Sequence, residues 1–287
     1  MAIDNAEVLK AATALGVVGG SSQSVHRVLA ALCDPGLGAH EIAAIVQRDP
    51  GLTARVLKVA NSAYYGRSGQ VQSVDQALIL LGFDAVRGIA ASACLDRGIV
   101  RRSATAAIQP DALAGHCLAT ALAAEHLARR VRPAMAVEAM IAGLLHDFGV
   151  LVQERLDPAG VAALIDALRD DESARPGALE PALVRVGHAE CARIMFEAWG
   201  LPALITAAVA FHHDPLAAPD DAARDLAALT HLGMQAALDA GFAHPLEPRP
   251  LPDLRAALCA RFALEPQGLA AADDLAEQVL LLRGVGD

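Results

Sequence analysis

The feature that most constrains this chain is a His-Asp pair inside an apolar segment, residues 142–151 (AGLLHDFGVL). His146 and Asp147 can enter a packed interior only if other groups satisfy them, because an unpaired polar or charged group buried there costs kilocalories. Hydrogen bonds from neighbouring residues can do this, and so can a metal ion. Hydrogen bonds would give His146 and Asp147 a structural role in the core, whereas a metal ion would make them part of a binding site.

The composition favours a helical, cytoplasmic protein. Of the 287 residues, 54% are hydrophobic but only 3% are aromatic, and much of the hydrophobic content is alanine and leucine, which lead the helix propensity scale. No uninterrupted apolar run reaches the roughly 18 residues that a membrane span needs, and the first residues do not resemble a signal peptide. The five widely spaced cysteines are typical of reduced core residues. A net charge of −10 argues against a nucleic-acid polymer or an anionic membrane as partner.

Capping signals predict where the helices begin. Asp49 before Pro50 predicts an N-cap followed by proline at the first helical position, and Ser73 with Gln76 forms a capping box. Asn61 opens a stretch predicted to be a packed turn that ends a helix, with a binding surface formed by Ser62, Tyr64 and Tyr65 as the alternative. Other helices are predicted at about 22–32, 39–47, 84–97, 110–130, 158–169, 178–199, 221–240, 253–262 and 266–282.

These helices predict an all-α protein with two fused helical subdomains, residues 22–105 and 106–240. An N-terminal segment, 1–21, precedes them, and a proline-rich connector with C-terminal helices, 241–287, follows. The connector, residues 244–252, is expected to be a stiff spacer, with recruitment of a partner through a polyproline helix as the alternative. Residues 98–110 are expected to connect the two subdomains. Arg97, Arg101 and Arg102 are expected to form a solvated face there, with binding of an anion or a partner as the alternative. The apolar stripe of the last helix is expected to dock on the body or on a second chain.

Four histidines and one aspartate form the candidate site. His116 and His188 lie on apolar helix faces and are expected to point inward. Antiparallel helices can bring these two together with the pair at 146–147 and with His212, because each successive member lies on a different helix. Neutral imidazoles plus a carboxylate suit Fe, Mn, Zn or Ni, and such a site can activate bound water. The predicted metal ligands are His116, His146, Asp147, His188 and His212.

The alternative is that each histidine hydrogen-bonds to a carboxylate or carbonyl in the core. For His213 and His231 this structural role is the prediction, with His213 as a group that supports a ligand as the second choice. His126 lies beside two arginines and is predicted to be on the surface.

Three sequence blocks closely resemble the HDOD (HD-related output domain) family of bacterial signalling modules. They are residues 45–52 (IVQRDPGL), 56–65 (VLKVANSAYY) and 73–82 (SVDQALILLG), and the His-Asp pair follows where that family has it. The resemblance covers about residues 22–235 and implies the fold of two helical subdomains, the second of them HD-like. The five-residue set also resembles the metal-ligand order of the wider HD phosphohydrolase superfamily.

The sequence departs from the hydrolytic members of that superfamily at specific positions. Met234 stands where the distal aspartate is expected, and Val150 follows Gly149 where cyclic-dinucleotide phosphodiesterases have a lysine. The motif after the paired histidines is His213-Asp214-Pro215 instead of a Gly-Tyr-Pro signature, and Ala112 replaces an extra carboxylate. These departures weigh against a complete hydrolytic centre and leave a site for one divalent metal ion open.

Two functions are therefore expected. The resemblance implies a non-enzymatic signalling module that acts through contacts with signalling protein partners, with no catalytic residues assigned. The alternative is a metal-dependent phosphohydrolase or phosphodiesterase that acts on a nucleotide or cyclic dinucleotide. A third, weaker hypothesis is a sensor that binds a nucleotide or a metal without turnover.

Overall fold

The computed structural model describes residues 4–14, 31, 34, 36–62, 71–83, 85–90, 93, 108–247, 252–266, 269 and 272–283. All regular elements in this part of the chain are helical. Outside it lie Tyr64, Tyr65 and the three arginines at 97–102. The helix predicted at 22–32, apart from residue 31, and most of the second half of the helix predicted at 84–97 also lie outside it. The all-α prediction is confirmed.

The α-helices with defined ends are α1 Asn5–Ala14, α2 Ala39–Gln47, α3 Pro50–Ala60, α4 Val74–Leu81, α5 Pro110–Val131, α6 Ala136–Leu145, α7 Gly149–Leu156, α8 Pro158–Asp170, α9 Pro176–Leu183, α10 His188–Trp199, α11 Ala203–Ala210, α12 Asp221–Asp239, α13 Pro252–Arg261 and α14 Ala272–Arg283. Two 3-10 turns, Pro133–Met135 and Pro215–Ala217, precede α6 and α12.

The first helical subdomain contains α2, α3 and α4, which pack on one another. The Asp49 carboxylate accepts hydrogen bonds from two backbone N–H groups in the first turn of α3, and Ser73 Oγ accepts from Gln76 N at 3.2 Å. Both predicted start signals are confirmed. Asn61 follows the last residue of α3 and holds the chain that returns at Val71. Its side chain donates to Val71 O and accepts from Val71 N, at 2.8 and 3.0 Å. The predicted helix-ending turn is confirmed at Asn61.

The second subdomain is built around α5, whose closest neighbours are α6 and α12. α10 and α11 pack beside this layer, α10 against α7 and α11 against α12. α1, from the N-terminal segment, packs on α7 and α10, where Arg185 pairs with Glu7 at 2.7 Å. The short connections between these helices bring their ends together, and the candidate residues lie at or near these ends.

The prediction of one helix over residues 178–199 is wrong. The chain leaves the helical conformation at Val184, whose φ and ψ are −121° and 156°, and α10 starts at His188 after Gly187. The break allows Glu180 to reach forward and accept a hydrogen bond from His188 N at 3.1 Å. This carboxylate satisfies a backbone N–H that the start of a helix leaves without a partner.

The C-terminal tail, residues 241–283, docks on the body. Leu275 and Val279 of α14 are buried, and α14 packs on α5 and α12, which confirms the predicted apolar stripe. α14 starts at Ala272, later than predicted. The spacer interpretation is wrong for residues 244–247, because His244, Leu246 and Glu247 are buried; residues 248–251 lie outside the described part.

The stretch Pro133–Leu156 is long and apolar enough to span a membrane by length and composition, but 83% of its most apolar window is buried inside the protein. It contains the His-Asp pair between α6 and α7. This burial identifies the stretch as a core segment of a folded protein.

Candidate metal centre

The helix ends place the five predicted residues around one point. His116 lies in α5, His146 and Asp147 lie in the turn between α6 and α7, His188 is the first residue of α10, and His212 follows α11. All five side chains are buried. The structure therefore brings the whole predicted set together.

Gly149 permits the close approach that this arrangement requires. A Cβ atom at this position would lie 1.9 Å from His188 O, so a side chain would push α7 and α10 apart. With glycine, the turn that carries Asp147 lies directly against the residue that begins α10.

The Asp147 carboxylate lies at the centre of the histidines. Its Oδ2 atom lies 3.2 Å from His146 Nε2 and 3.6 Å from His116 Nε2. Its Oδ1 atom lies 3.4 Å from His188 Nε2 and 3.7 Å from His212 Nε2, and none of the described residues makes a hydrogen bond to it. Each carboxylate oxygen thus faces two of the four predicted histidines.

The other ring nitrogen of each histidine is held by the protein. Nδ1 of His116 donates to Phe242 O at 2.6 Å, Nδ1 of His146 to Gly143 O at 2.7 Å, and Nδ1 of His212 to Val209 O at 2.7 Å. Because a carbonyl can only accept, these three Nδ1 atoms carry the proton when the rings are neutral. Their Nε2 atoms are then lone pairs that point into the site, which is the arrangement found in metal-ligating histidines.

These lone pairs face one another without hydrogen atoms between them. His116 Nε2 lies 3.2 Å from His146 Nε2, and neither atom can donate to the other when both protons are on Nδ1. A cation between the two would satisfy both. Ligand atoms about 2.1 Å from an ion and at right angles lie about 3.0 Å apart, which is close to the observed spacing. The residues therefore fit a divalent metal ion.

His188 differs from the other three because its Nδ1 partner is a carboxylate. Glu180 Oε1 lies 2.5 Å from His188 Nδ1 and also accepts from Gln153 Nε2 at 2.6 Å. Although burial disfavours the charged ring, Glu180 raises the pKa of His188 to about 9. In the metal-free protein at pH 7, His188 therefore carries a proton on both nitrogens.

Two further histidines of the predicted set, His116 and His212, are neutral at pH 7. Burial lowers the pKa of His116 to about 3, and it lowers the pKa of His212 well below the ordinary value for histidine. Burial also works against ionisation of Asp147, but His146 and His244 hold its pKa well below the usual range. Before any ion binds, the centre thus offers two neutral imidazoles, those of His116 and His212, and one carboxylate.

His213 lies closer to the centre than the structural role predicted for it. Its Nε2 atom lies 3.0 Å from His188 Nε2, and His188, His212 and His213 form a second group that could hold a metal ion, beside the group of His116, His146 and Asp147. The signal for His213 in the sequence was its position directly after His212.

The other predictions for single residues agree with the geometry. His231 Nδ1 donates to His212 O at 2.8 Å, so it makes the core hydrogen bond that was predicted. His126 is exposed. Met234, at the position of the expected distal aspartate, is buried and has no oxygen to offer an ion.

Sequence reasoning missed two residues from the connector. His244 Nε2 donates to Asp147 Oδ2 at 2.8 Å, and Glu247 Oε1 lies 3.1 Å from His213 Nε2. Burial and the nearby Asp147 charge raise the pKa of Glu247 well above its ordinary value. The prolines around these residues suggested a spacer, and no local signal showed that the chain returns to the core.

Residues 21–215 match the HDOD domain family. An uncharacterized protein of Treponema pallidum (strain Nichols) is 25% identical over 192 residues, which are 67% of this chain and 36% of that protein. A protein of Marinobacter aquaeolei VT8 named as a signal transduction protein has a solved structure with a TM-score of 0.73 and 23% identity, over 96% of this chain and 60% of that one. The chain thus spans less than two thirds of either protein.

The structure of an HDOD domain protein from Geobacter sulfurreducens gives a TM-score of 0.71 at 21% identity, over 98% of this chain and 96% of that one. At this level of identity the likeness supports the fold. The family match covers most of the chain and includes the His-Asp pair and the paired histidines. On that basis this protein belongs to the HDOD family.

Proposed function

We propose that this chain is a cytoplasmic signalling module that binds one divalent metal ion and acts through contacts with signalling protein partners, without catalytic turnover. The burial of the whole His-Asp set supports this proposal. His116, His146, Asp147 and His212 are each 0% exposed, so a phosphodiester could not reach them in this conformation. The missing distal carboxylate at Met234 also weighs against hydrolysis.

The residues that would hold the ion are His116, His146, Asp147, His188 and His212. Their Nε2 and carboxylate oxygen atoms already face one another, and hydrogen bonds from Nδ1 fix the rings. A bound divalent ion would supply Lewis-acid charge at this point. Within the module it would also tie together α5, the turn after α6, and the ends of α10 and α11.

The first test is elemental analysis of the purified chain without added metal, beside a His146→Ala/Asp147→Ala double variant. We expect metal in the wild type that is lost in the double variant, while circular dichroism shows the same helix content in both. His116→Ala and His188→Ala are expected to lose metal in the same way. Wild-type protein without metal would contradict the metal part of the proposal.

The alternative function is a metal-dependent phosphohydrolase on a nucleotide or cyclic dinucleotide. The gathering of four histidines around one carboxylate favours it, because the same donor set suits hydrolytic metals. Turnover of a panel of linear and cyclic phosphodiesters by the metal-loaded chain separates the two. We expect no rate above that of the double variant, and a rate well above it would replace the signalling proposal with the enzyme.

A further inference from the structure

The segment that follows α12 returns to the metal centre. Gly241, at φ 85°, turns the chain back after the end of α12, in a backbone region that L side chains rarely adopt. His244 N donates to Glu247 O and Glu247 N donates to His244 O, at 3.4 and 2.9 Å, so the two residues close a tight turn. We call residues 242–247 the closing turn.

The closing turn contacts the centre at three points. Phe242 O accepts from His116 Nδ1, His244 Nε2 donates to Asp147 Oδ2, and Glu247 Oε1 lies against His213 Nε2. His244 and Glu247 are 3% and 2% exposed. Neither residue lies in the part of the chain that matches the HDOD family, 21–215.

His244 is placed to orient the carboxylate. It is the one histidine whose Nε2 can carry a proton toward Oδ2 while His116 and His146 point lone pairs at the same atom. The group of possible ligands around His116, His146 and Asp147 does not include His244. Its position is that of a hydrogen-bond donor that fixes a ligating carboxylate, a role whose loss costs about 10–100-fold in metal affinity.

The closing turn leads into the helices of the tail. α13 packs on α12, where Arg261 Nε donates to Asp225 Oδ1 at 2.6 Å. α14 packs on α5, the helix that carries His116, and Arg283 pairs with Asp111 at its start. The closing turn thus contacts the metal centre and precedes in sequence the two helices that dock on α12 and α5.

We propose that the closing turn couples metal binding to docking of the C-terminal tail: His244 positions Asp147 for the ion, and the occupied centre holds α13 and α14 on the body. This inference rests on the proposed metal site. By linkage, an ion that binds the closed form more tightly stabilises that form, and closing of the turn raises the affinity for the ion by the same factor. Docking of α13 and α14 on the body would then depend on whether the metal centre holds an ion.

The experiment compares the full chain with His244→Ala, His244→Gln and the matched control His126→Ala, which removes an exposed histidine of α5. Affinity for Zn²⁺ and for Mn²⁺, each added alone, is measured by competition with a chromophoric chelator. We expect His244→Ala to bind about 10–100-fold more weakly. His244→Gln, whose side-chain N–H can still donate to Asp147, should retain most of the affinity, and His126→Ala should match the wild type.

The second measurement is hydrogen exchange of the α13 and α14 amides with and without the metal. In the wild type the ion should slow this exchange, and in His244→Ala the ion should no longer do so. Glutamine at 244 keeps the test valid if the alanine variant unfolds, because restored affinity and restored protection of the tail cannot come from a merely structural role.

The outcomes separate the inference from the proposed function. If the wild type binds metal but the tail exchanges at the same rate with and without it, or if His244→Ala behaves as the wild type, the coupling is wrong and the metal site stands. If neither ion binds the wild type, the proposed metal site fails and the coupling fails with it.

Discussion

At the scale of single residues, metal binding at the centre depends on which nitrogen atoms of each imidazole carry a proton. Backbone carbonyls fix the proton of three rings on Nδ1, and only His188 has a carboxylate, Glu180, at that position. This difference separates the charged ring of His188 from the neutral rings of His116 and His212. Metal binding must therefore remove a proton from His188, because an imidazole binds metal in its neutral form.

The pH dependence of metal binding follows from His188. Its pKa is raised to about 9, so the ring holds a proton through the neutral range and releases it only as the pH rises through 9. We expect metal affinity to increase about tenfold per pH unit between pH 7 and 8.5. Isothermal titration calorimetry in buffers of different ionisation enthalpy should show about one proton released per ion at pH 7.

Glu180→Gln tests the cause of this dependence. Without the carboxylate, the pKa of His188 should fall, so the rise of affinity with pH should flatten and fewer protons should be released at pH 7. At pH 9 the variant should bind metal more weakly than the wild type, because a neutral amide oxygen can still orient the ring but increases its basicity less than a carboxylate does. Glu172→Gln, in an exposed loop, is the control. An unchanged pH profile in Glu180→Gln would show that this pair does not set the charge of the centre.

At the scale of helices, the packing depends on close approach of backbones. Gly143 in α6 lies against α5, where a Cβ atom would stand 2.8 Å from Ala121 Cα. Its carbonyl also accepts the proton of His146 Nδ1. The separation of α5 and α6 therefore sets both the packing and the orientation of one ligand.

Gly143→Ala should destabilise the fold. Alanine improves helix propensity by up to about 1 kcal/mol, but overpacking against a rigid backbone costs about 1–3 kcal/mol, so the net free energy of unfolding should fall. Gly177→Ala is the control, because a Cβ atom there has its closest contact at 3.6 Å. Urea unfolding followed by circular dichroism measures both. Equal stability of the two variants would mean that the helices have room to separate.

The start of α4 gives a test of local capping. Ser73 Oγ accepts from Gln76 N, while Gln76 Oε1 accepts from Gln72 N at 2.7 Å, one residue before the cap. Ser73→Ala should lower the free energy of unfolding by about 0.5–2 kcal/mol, and Ser73→Asn should keep most of it, because asparagine is an equally good cap. Chemical denaturation measures the difference, and no loss in the alanine variant would refute the cap.

At the scale of the whole molecule, the centre joins segments that are far apart in sequence. Asp147 and His244 are 97 residues apart, and His116 and Phe242 are 126 residues apart. Arg132 and Arg261 both pair with Asp225, which fastens α13 to the second subdomain. An ion at the centre would therefore hold the fold together as well as the site.

Removal of metal should lower the stability of the whole chain. A ligand that binds only the folded state at 100 times its dissociation constant adds about 2.7 kcal/mol, and a chelator should remove a contribution of this order. Thermal unfolding of the wild type should shift to lower temperature with chelator, whereas the His146→Ala/Asp147→Ala variant should show no shift. A chelator-independent wild type would indicate that hydrogen bonds alone hold the centre.

The five residues of the candidate set could be named from the amino-acid sequence. So could the helical class, the caps at Asp49 and Ser73, and the inward direction of His116 and His188. These follow from local propensity and from the 3.6-residue period, which a sequence displays directly. Family resemblance supplied the expected order of the histidines and the departure at Met234.

The other groups at the centre became apparent only from the packing of the helices. The break after Leu183 that brings Glu180 to His188, the approach of His213, and the return of His244 and Glu247 depend on contacts between distant segments. No local sequence pattern predicts these contacts. Gly187, where the chain breaks before α10, does not stand out among the 23 glycines. The prolines of the connector predict a stiff segment but do not show where it packs. The physical reason is burial. A buried polar side chain needs a hydrogen-bond partner, and which partner is within reach depends on how distant helices pack around it.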